Sequence, residues 1–249
     1  MLTQSLAQII SDCWRDFNAF NQPYKVYPSI PILWFGDLKS YMDSARKIVS
    51  VALNPSASEF ESEKGFSIQE RFPHFSMPFN PVNYFEAMND YFETNPYWGK
   101  WFQYPERILN CLKASYKKGT QSTAVHIDLF APIATAPHWN SLSKDERGIL
   151  CSAFHGYFSR MMKELNPDII LASLNSEVIT SCFKTKDGRP CCPKNAYKKW
   201  SPNNKKGFFL RQYLLPDNRK LITGRNMSGT AFGGLSVSEC QEGMSVIYP

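Results

Sequence analysis

The chain has 249 residues, of which 43% are hydrophobic and 14% aromatic, so it can bury a sizeable core. Its formal net charge of +6 favours a polyanionic partner but lies far below the charge density of a histone-like arm. The sequence shows neither an apolar run long enough to cross a bilayer nor a secretory leader pattern, so we expect a soluble cytoplasmic protein. Seven cysteines without a CxxC pair fit a reducing compartment and match no standard zinc spacing.

The first elements expected along the chain are a helix and a buried strand. Residues 1–17 place apolar side chains on one helical face. Residues 47–53 are β-branched and apolar and are stopped by Asn54-Pro55, which is typical of a buried strand that runs into a turn. Helices are then predicted at residues 82–92 and at residues 105–117, the latter with Pro105 near its first turn.

The second half of the chain alternates strands with helices. One long helix is predicted from Ser143 to residue 165, because Ser143 and Glu146 form a capping box and apolar residues recur at helical spacing. The other elements expected here are strands at residues 124–130, 168–174 and 220–223 and a helix at 176–183. These elements predict an α/β fold: a single domain, residues 1–249, in which a three-layer αβα sandwich surrounds a central, mainly parallel four-stranded sheet.

A strongly cationic segment interrupts this alternation at residues 184–211. It contains nine Lys and Arg residues and a single acid, Asp187, and its prolines and glycines indicate a long loop insertion. Clustered lysines with aromatic neighbours at Tyr197 and Trp200 favour contact with a DNA backbone, whereas the alternative is a solvated insertion. The predicted phosphate contacts are Lys198, Lys199, Lys205 and Lys206.

Polar side chains follow the predicted strands at the ends where open α/β sheets bind ligands. The sequence contains no phosphate-binding loop, nucleophile elbow or zinc-protease motif. Amides, hydroxyls and one carboxylate are present instead, and such groups orient water, hold phosphate and read the edge of a base. The candidate residues are Asn54, Ser56, Asp128, Asn226 and Ser228.

Two of these loops resemble the signature loops of the uracil-DNA glycosylase superfamily. Leu53-Asn54-Pro55-Ser56 is similar to the GxNPG-type motif of the mismatch-directed uracil/thymine branch, with Ala52 and Ser56 at its glycine positions. Asn226-Met227-Ser228-Gly229 is similar to the NPSG-type motif, with Met227 in place of the proline. The resemblance spans residues 46–236 and implies DNA as the partner, base excision as the activity and no cofactor.

The resemblance implies a role for each matched residue. Asn54 would position the attacking water and Asn226 would contact the flipped nucleotide, so these two are the expected catalytic residues. N-glycosidic cleavage needs an aligned water and a stabilised leaving base more than a potent nucleophile, and an amide meets that need. Ser228 would grip a phosphate, and Ser56, beside Asn54, is a second phosphate-binding candidate.

The residues expected to bind the base are Asp128 and Phe66. Phe66 resembles the aromatic on which the extruded base stacks, with Phe79 as its rival. Asp128 falls where the superfamily commonly has an asparagine that reads uracil. A carboxylate offers only acceptors, so Asp128 suits the amino group of cytosine and opposes the carbonyl of uracil. The alternative is that Asp128 only caps a turn before Pro132.

These features together predict a monofunctional DNA glycosylase that flips out a base and leaves an abasic site. The expected target is a modified cytosine, such as the glucosylated hydroxymethylcytosine of phage DNA, and the expected role is anti-phage defence. Three alternatives remain open: a uracil or thymine-mismatch repair glycosylase, a catalytically silent nucleic-acid-binding protein of the same fold, and a small-molecule hydrolase. Glu59 and His138 are further candidates for the active site, although the pattern favours a solvated acid at a helix start for Glu59.

Overall fold

The structure, a computed structural model, describes residues 2–60, 67–94, 100–201, 204–225 and 229–249. Side chains are described in these ranges except at Lys100, at residues 200–201 and at residues 204–206.

Seven strands form one sheet. They are β1 (Ile48–Ala52), β2 (Ala114–Ser115), β3 (Ser122–Asp128), β4 (Ile169–Ala172), β5 (Pro193–Ser201), β6 (Asn204–Leu214) and β7 (Lys220–Gly224). Their order in the sheet is β2-β3-β1-β4-β7-β6-β5. The pairs β2–β3, β1–β4 and β4–β7 are parallel, whereas β6 runs antiparallel to both β7 and β5. The protein is therefore an α/β protein with a mixed, mostly parallel sheet flanked by helices.

Helices connect and flank the strands. They are α1 (Gln4–Ala19), α2 (Leu38–Met42), α3 (Ile68–Arg71), α4 (Pro81–Asn89), α5 (Tyr91–Thr94), α6 (Lys100–Cys111), α7 (Lys144–Ala153), α8 (Tyr157–Leu165), α9 (Ser176–Cys182) and α10 (Val237–Ile247). No helix in the described part of the chain combines the length and the apolar character that crossing a membrane requires.

The predicted four-stranded sheet was wrong in its number of strands. The four expected strands correspond to β1, β3, β4 and β7, and their runs of apolar and β-branched residues predict each within a few residues of its position. The missed strands are the two-residue β2 and the antiparallel pair β5 and β6, which lies at one edge of the sheet.

The predicted loop at residues 184–211 was also wrong, because most of it forms the β5–β6 hairpin. Pro193 occupies the first position of β5, an edge strand, where a missing backbone N–H group is tolerated. Gly207 has a φ of 63° and lies near the register shift between Lys199 and Ser201. It accommodates this irregular pairing within the hairpin and does not end a strand.

Three helix predictions needed correction. The capping box of Ser143 and Glu146 is present, but the predicted long helix is divided into α7 and α8 because Gly156 adopts a φ of 90° between them. The helix predicted at residues 82–92 is divided into α4 and α5, with Asp90 between them. The helix predicted at residues 105–117 begins earlier, at Lys100, and ends at Cys111, so Pro105 lies inside α6 and residues 114–115 form β2 instead.

The chain divides into two compact units. The first comprises residues 1–42, 52–97 and 125–166, and a stack of buried aromatic rings occupies part of its core: the ring centroids of Phe35 and Tyr91 are 3.6 Å apart. The second comprises residues 43–51, 98–124 and 167–249 and contains the apolar residues of β4 and β7, all of them buried. Asn54 and Asp128 belong to the first unit, and the β5–β6 hairpin belongs to the second.

Candidate functional site

Asn54 lies just beyond β1, half-buried and held in place by its side-chain amide. Its Nδ2 donates to the backbone oxygen of Ile133 at 3.1 Å and to the hydroxyl of Thr135 at 3.2 Å. Both amide hydrogens therefore have partners, and Oδ1 is the atom left to accept a hydrogen bond. An amide fixed in this way presents a single acceptor in a defined direction, which is suited to orienting a water molecule.

Backbone bridges fix the loop that carries Asn54. Ser56 forms a parallel bridge with Thr135, and Thr135 forms an antiparallel bridge with Lys25 on its other side. The N–H group of Val26 also donates to the oxygen of Ala134 at 3.2 Å. Three short segments thus lie side by side, and the one in the middle supplies the hydroxyl that holds Asn54.

The hydroxyl of Ser56 is engaged locally. It caps the short 3₁₀ turn Ala57–Glu59, where it accepts from the N–H of Ser58 at 3.3 Å and lies 2.8 Å from the hydroxyl of Ser58. The predicted phosphate contact at Ser56 therefore requires this hydroxyl to leave the cap or to share its lone pairs.

Asp128 ends β3 and lies beside the Asn54 loop. The N–H groups of Leu129 and Phe130 donate to the oxygens of Ala52 and Leu53, each at 3.0 Å, so the chain leaving β3 runs along the chain leaving β1. This pairing places Asp128 and Asn54 at the same end of neighbouring strands, as the sequence predicts.

The carboxylate of Asp128 is buried, with only 2% of its side chain exposed. Its Oδ1 makes no hydrogen bond within the described part of the chain and lies 3.6 Å from Nε2 of His126, which is beyond hydrogen-bond distance. Burial of a carboxylate is costly unless hydrogen bonds or opposite charge meet it. Asp128 therefore places a buried acceptor at the end of β3, next to the Asn54 loop.

His126 is a site neighbour that the sequence analysis overlooked. Its ring is buried, stacks on Phe35 with centroids 6.3 Å apart, and lies two residues from Asp128 on the same face of β3. The alternation of side chains along a strand is the signal that could have linked the two residues before the structure was known.

Glu59 is not the solvated acid that the sequence analysis favoured. Its side chain is 11% exposed, pairs with the guanidinium of Arg71 at 2.5 Å, and accepts from the hydroxyl of Tyr91 at 2.8 Å. Burial, followed by the charge of Glu59, raises the pKa of the Tyr91 hydroxyl well above its usual range, so this hydroxyl remains a donor. The ion pair anchors the turn that follows Asn54, and we assign Glu59 a structural role.

The aromatic candidates have different positions. Phe79 stacks on Trp14 with parallel rings 4.4 Å apart, so one of its faces is already covered. Phe130, which the sequence analysis did not consider, is half-buried, stacks on Trp139 at 4.7 Å, and is joined through its backbone to Leu53. The backbone therefore places Phe130 next to the Asn54 loop.

The remaining candidates are only partly described. Asn226, Ser228 and Phe66 lie outside the described residues, as do the side chains of Lys205 and Lys206. His138 is exposed and begins a 3₁₀ turn, Trp139–Ser141, without capping it.

The cationic candidates at residues 198 and 199 point to opposite sides of the β5–β6 hairpin. The side chain of Lys199 donates to Glu242 of α10 at 2.8 Å. Lys198 is exposed and lies directly opposite Phe209 on the other face. Tyr197, proposed above as an aromatic neighbour of DNA, is buried on the α10 side instead.

The cavity that Asp128 helps to line has a volume of about 10 Å³, enough for roughly one water molecule and too small for a nucleobase. No group of three or more His, Cys, Asp or Glu residues in the described ranges is arranged to hold a metal ion.

Comparisons of this chain with protein-family profiles, with curated proteins and with solved structures found no significant match.

Proposed function

We propose that this protein is a monofunctional DNA glycosylase that excises a modified cytosine and leaves an abasic site. The observation that carries the proposal is the anchored amide of Asn54, whose Nδ2 is fixed by Ile133 and Thr135 and whose Oδ1 is left to orient water. The proposal includes the three-layer arrangement and the resemblance to the uracil-DNA glycosylase superfamily. It also includes DNA as the partner and phage DNA as the source of the target base.

The proposed reaction needs little from the side chains beyond positioning. The oxygen of the water held by Asn54 bonds to C1′ of the sugar while the C1′–N bond breaks, and the bonding electron pair leaves with the base. The water loses one proton to solvent, and the departing base takes up one proton from solvent at the nitrogen that was bonded to C1′, so the base is released neutral. Aligning water and sugar in this way supplies a large share of the rate enhancement in such reactions. Neither signature loop contains a lysine, so no Schiff-base lyase step is included.

Asp128 supports a cytosine-type base over uracil. A carboxylate accepts from the exocyclic amino group of cytosine and repels the carbonyl oxygen that uracil carries at the same position. Because the adjoining cavity holds about one water molecule, binding a base against Asp128 also requires neighbouring side chains to move.

The proposal is tested by incubating the protein with DNA that contains uracil, a G·T mismatch or glucosylated hydroxymethylcytosine. Abasic sites are detected as alkali-labile strand breaks, and the released bases are identified by mass spectrometry. We expect release of the modified cytosine, and a loss of at least about 100-fold in rate for Asn54→Ala, because displacing the water removes its alignment.

The matched control is Asn83→Ala, since Asn83 is also half-buried and its Nδ2 also donates to a side-chain hydroxyl, that of Ser76, at 2.8 Å. This variant should keep full activity. Full activity of Asn54→Ala, or no base release from any of the three DNAs, would contradict the proposal.

A second candidate is a nucleic-acid-binding protein of the same fold without catalysis. The small cavity that Asp128 helps to line favours it, because a volume of about 10 Å³ does not hold a base. This candidate predicts salt-sensitive binding to DNA with no released base in the same assay. The uracil or mismatch-repair alternative instead predicts release of uracil or thymine.

A further inference from the structure

The β5–β6 hairpin projects past the end of the strand beside it. β6 pairs with β7 only as far as the partners Leu210 and Gly224. The preceding part of β6, residues 204–209, therefore extends beyond the carboxyl end of β7 by roughly 20 Å, at about 3.3 Å per residue. Arg225, which follows β7, supports the overhang because its guanidinium donates to the oxygen of Gly207 at 3.1 Å.

The two faces of this hairpin differ in chemistry. One face packs on α10: a Cβ added to Gly243 would lie 2.8 Å from the side chain of Leu210 and 2.9 Å from the ring of Tyr197. On that face the charge of Lys199 is offset by Glu242, which raises the pKa of Lys199 and has its own pKa lowered in return.

The opposite face carries cations and an aromatic ring that reach solvent. Lys198 lies across from Phe209 and Ala196 lies across from Arg211, so these four side chains share one surface. Lys198 and Ala196 are exposed, and Phe209 and Arg211 are half-buried. The guanidinium of Arg211 lies over the ring of Phe209, 4.5 Å from the ring centroid, so the ring supports the cation on this face.

We propose that this face, defined by Ala196, Lys198, Phe209 and Arg211 and extended by Lys194, binds a single-stranded segment of DNA. A sheet surface with cations for phosphates, and with a guanidinium supported by an aromatic ring for bases, is the chemistry that unpaired strands require. The inference rests on the proposed function in its choice of DNA, because a strand from which a nucleotide has been flipped is locally unpaired. The inference assigns the DNA contact to one face of the hairpin. Lys199 lies on the other face, against α10, and is not part of this contact.

The test measures binding alone, with DNA that contains none of the candidate target bases. Fluorescence anisotropy with oligodeoxythymidylate of about 20 nucleotides, longer than the usual site of one binding fold, is compared with a duplex of equal length. We expect tighter binding to the single strand, a roughly three- to tenfold loss for Lys198→Gln, and at least a fivefold loss for Phe209→Leu, which keeps an apolar side chain and removes the ring.

Two variants control for charge and for the choice of face. Lys199→Gln removes a cation one residue away on the α10 side, and Lys163→Gln removes an exposed cation at the end of α8. Both should bind within about twofold of the wild type. Equal losses for Lys198→Gln and Lys199→Gln, or tighter binding to the duplex, would overturn the inference.

Failure of this inference and failure of the proposed function are distinguishable. If base excision is absent, anisotropy still reports whether the Lys198 face binds the strand. If the Lys198 face does not bind, base release from modified DNA and its dependence on Asn54 are still measured separately.

Discussion

Asn54 and Asp128 are polar residues at neighbouring strand ends, but their surroundings restrict them in opposite ways. The amide of Asn54 is saturated as a donor and available as an acceptor. The carboxylate of Asp128 is buried beside a ring nitrogen at 3.6 Å, too far for a hydrogen bond, and so retains unused acceptor capacity. At the residue scale the site is thus defined by acceptors, which suits a water molecule on one side and an amino group on the other.

The first prediction at this scale concerns Asp128→Asn. An asparagine offers a donor as well as an acceptor, so release of the modified cytosine should fall and release of uracil should appear. Removing a poorly paired buried charge should also raise the free energy of unfolding by about 1–3 kcal/mol. Urea denaturation and the base-release assay measure the two effects.

The control for this prediction is Asp168→Asn. The carboxylate of Asp168 is well used, because its Oδ2 accepts from the N–H of Lys47 at 2.8 Å, and the residue is exposed. Its replacement should leave base selection unchanged and should not stabilise the protein. A destabilised Asp128→Asn variant that still rejects uracil would count against Asp128 as the residue that reads the base.

The β5–β6 hairpin and α10 together determine which basic side chains of residues 193–214 are exposed. The helix approaches the hairpin closely because Gly243 has no side chain, and the space that a Cβ would need is filled by Leu210 and Tyr197. This contact fixes which face of the hairpin is covered and therefore which cations remain available.

A prediction at the scale of elements follows for Gly243→Ala. Alanine normally stabilises a helix interior by about 0.5–1 kcal/mol relative to glycine, but here the added methyl group overlaps buried side chains. We expect a net loss of about 1–2 kcal/mol in the free energy of unfolding, measured by urea denaturation, with weaker DNA binding as the hairpin shifts.

The matched substitution is Gly148→Ala in α7, where nothing lies within 4 Å of the position that a Cβ would take. It should stabilise the protein by about 0.5–1 kcal/mol. If both variants were stabilised alike, the close approach of α10 to the hairpin would not be a feature of the folded protein.

Strands buried on both sides were predictable from sequence, and the hairpin was not. The apolar runs of β1, β3, β4 and β7 predict buried strands directly. In β5, one proline and three lysines mask the alternation that an edge strand needs on only one face. Gly156 divides α7 from α8 although the apolar periodicity continues across it, because one residue with positive φ ends a helix whatever the pattern predicts.

In the candidate site, only the residues at the strand ends were predictable from the sequence. Asn54 and Asp128 follow from the rule that ligands bind at the carboxyl ends of parallel strands. Thr135, which holds Asn54, and Arg71, which pairs with Glu59, come from segments distant in sequence. No local pattern reports such contacts, because they form only when the chain folds.

At the scale of the whole molecule, the positive charge is concentrated in one segment. Residues 184–211 contain nine Lys and Arg and one acid, so the rest of the chain has 19 basic residues against 21 acidic ones. The net charge of +6 therefore originates in the segment that includes the hairpin, and the remainder is slightly acidic. Attraction of a polyanion should depend on this segment and hardly at all on lysines elsewhere.

The dependence of binding on salt tests this distribution. Each phosphate contact on a single strand contributes about 0.7 to the slope of log K against log salt concentration, so replacing Lys194, Lys198 and Arg211 by Gln should lower the slope by roughly 2. Removing the same total charge from exposed lysines in the first unit, at Lys39, Lys144 and Lys163, should leave the slope unchanged, because these lysines do not lie on the Lys198 face. Anisotropy titrations between about 50 and 200 mM salt measure all three proteins. Equal slopes of log K against log salt concentration for the two triple variants would mean that net charge alone drives binding. A lower slope for the hairpin variant only would mean that counterions are released where the Lys198 face meets the strand.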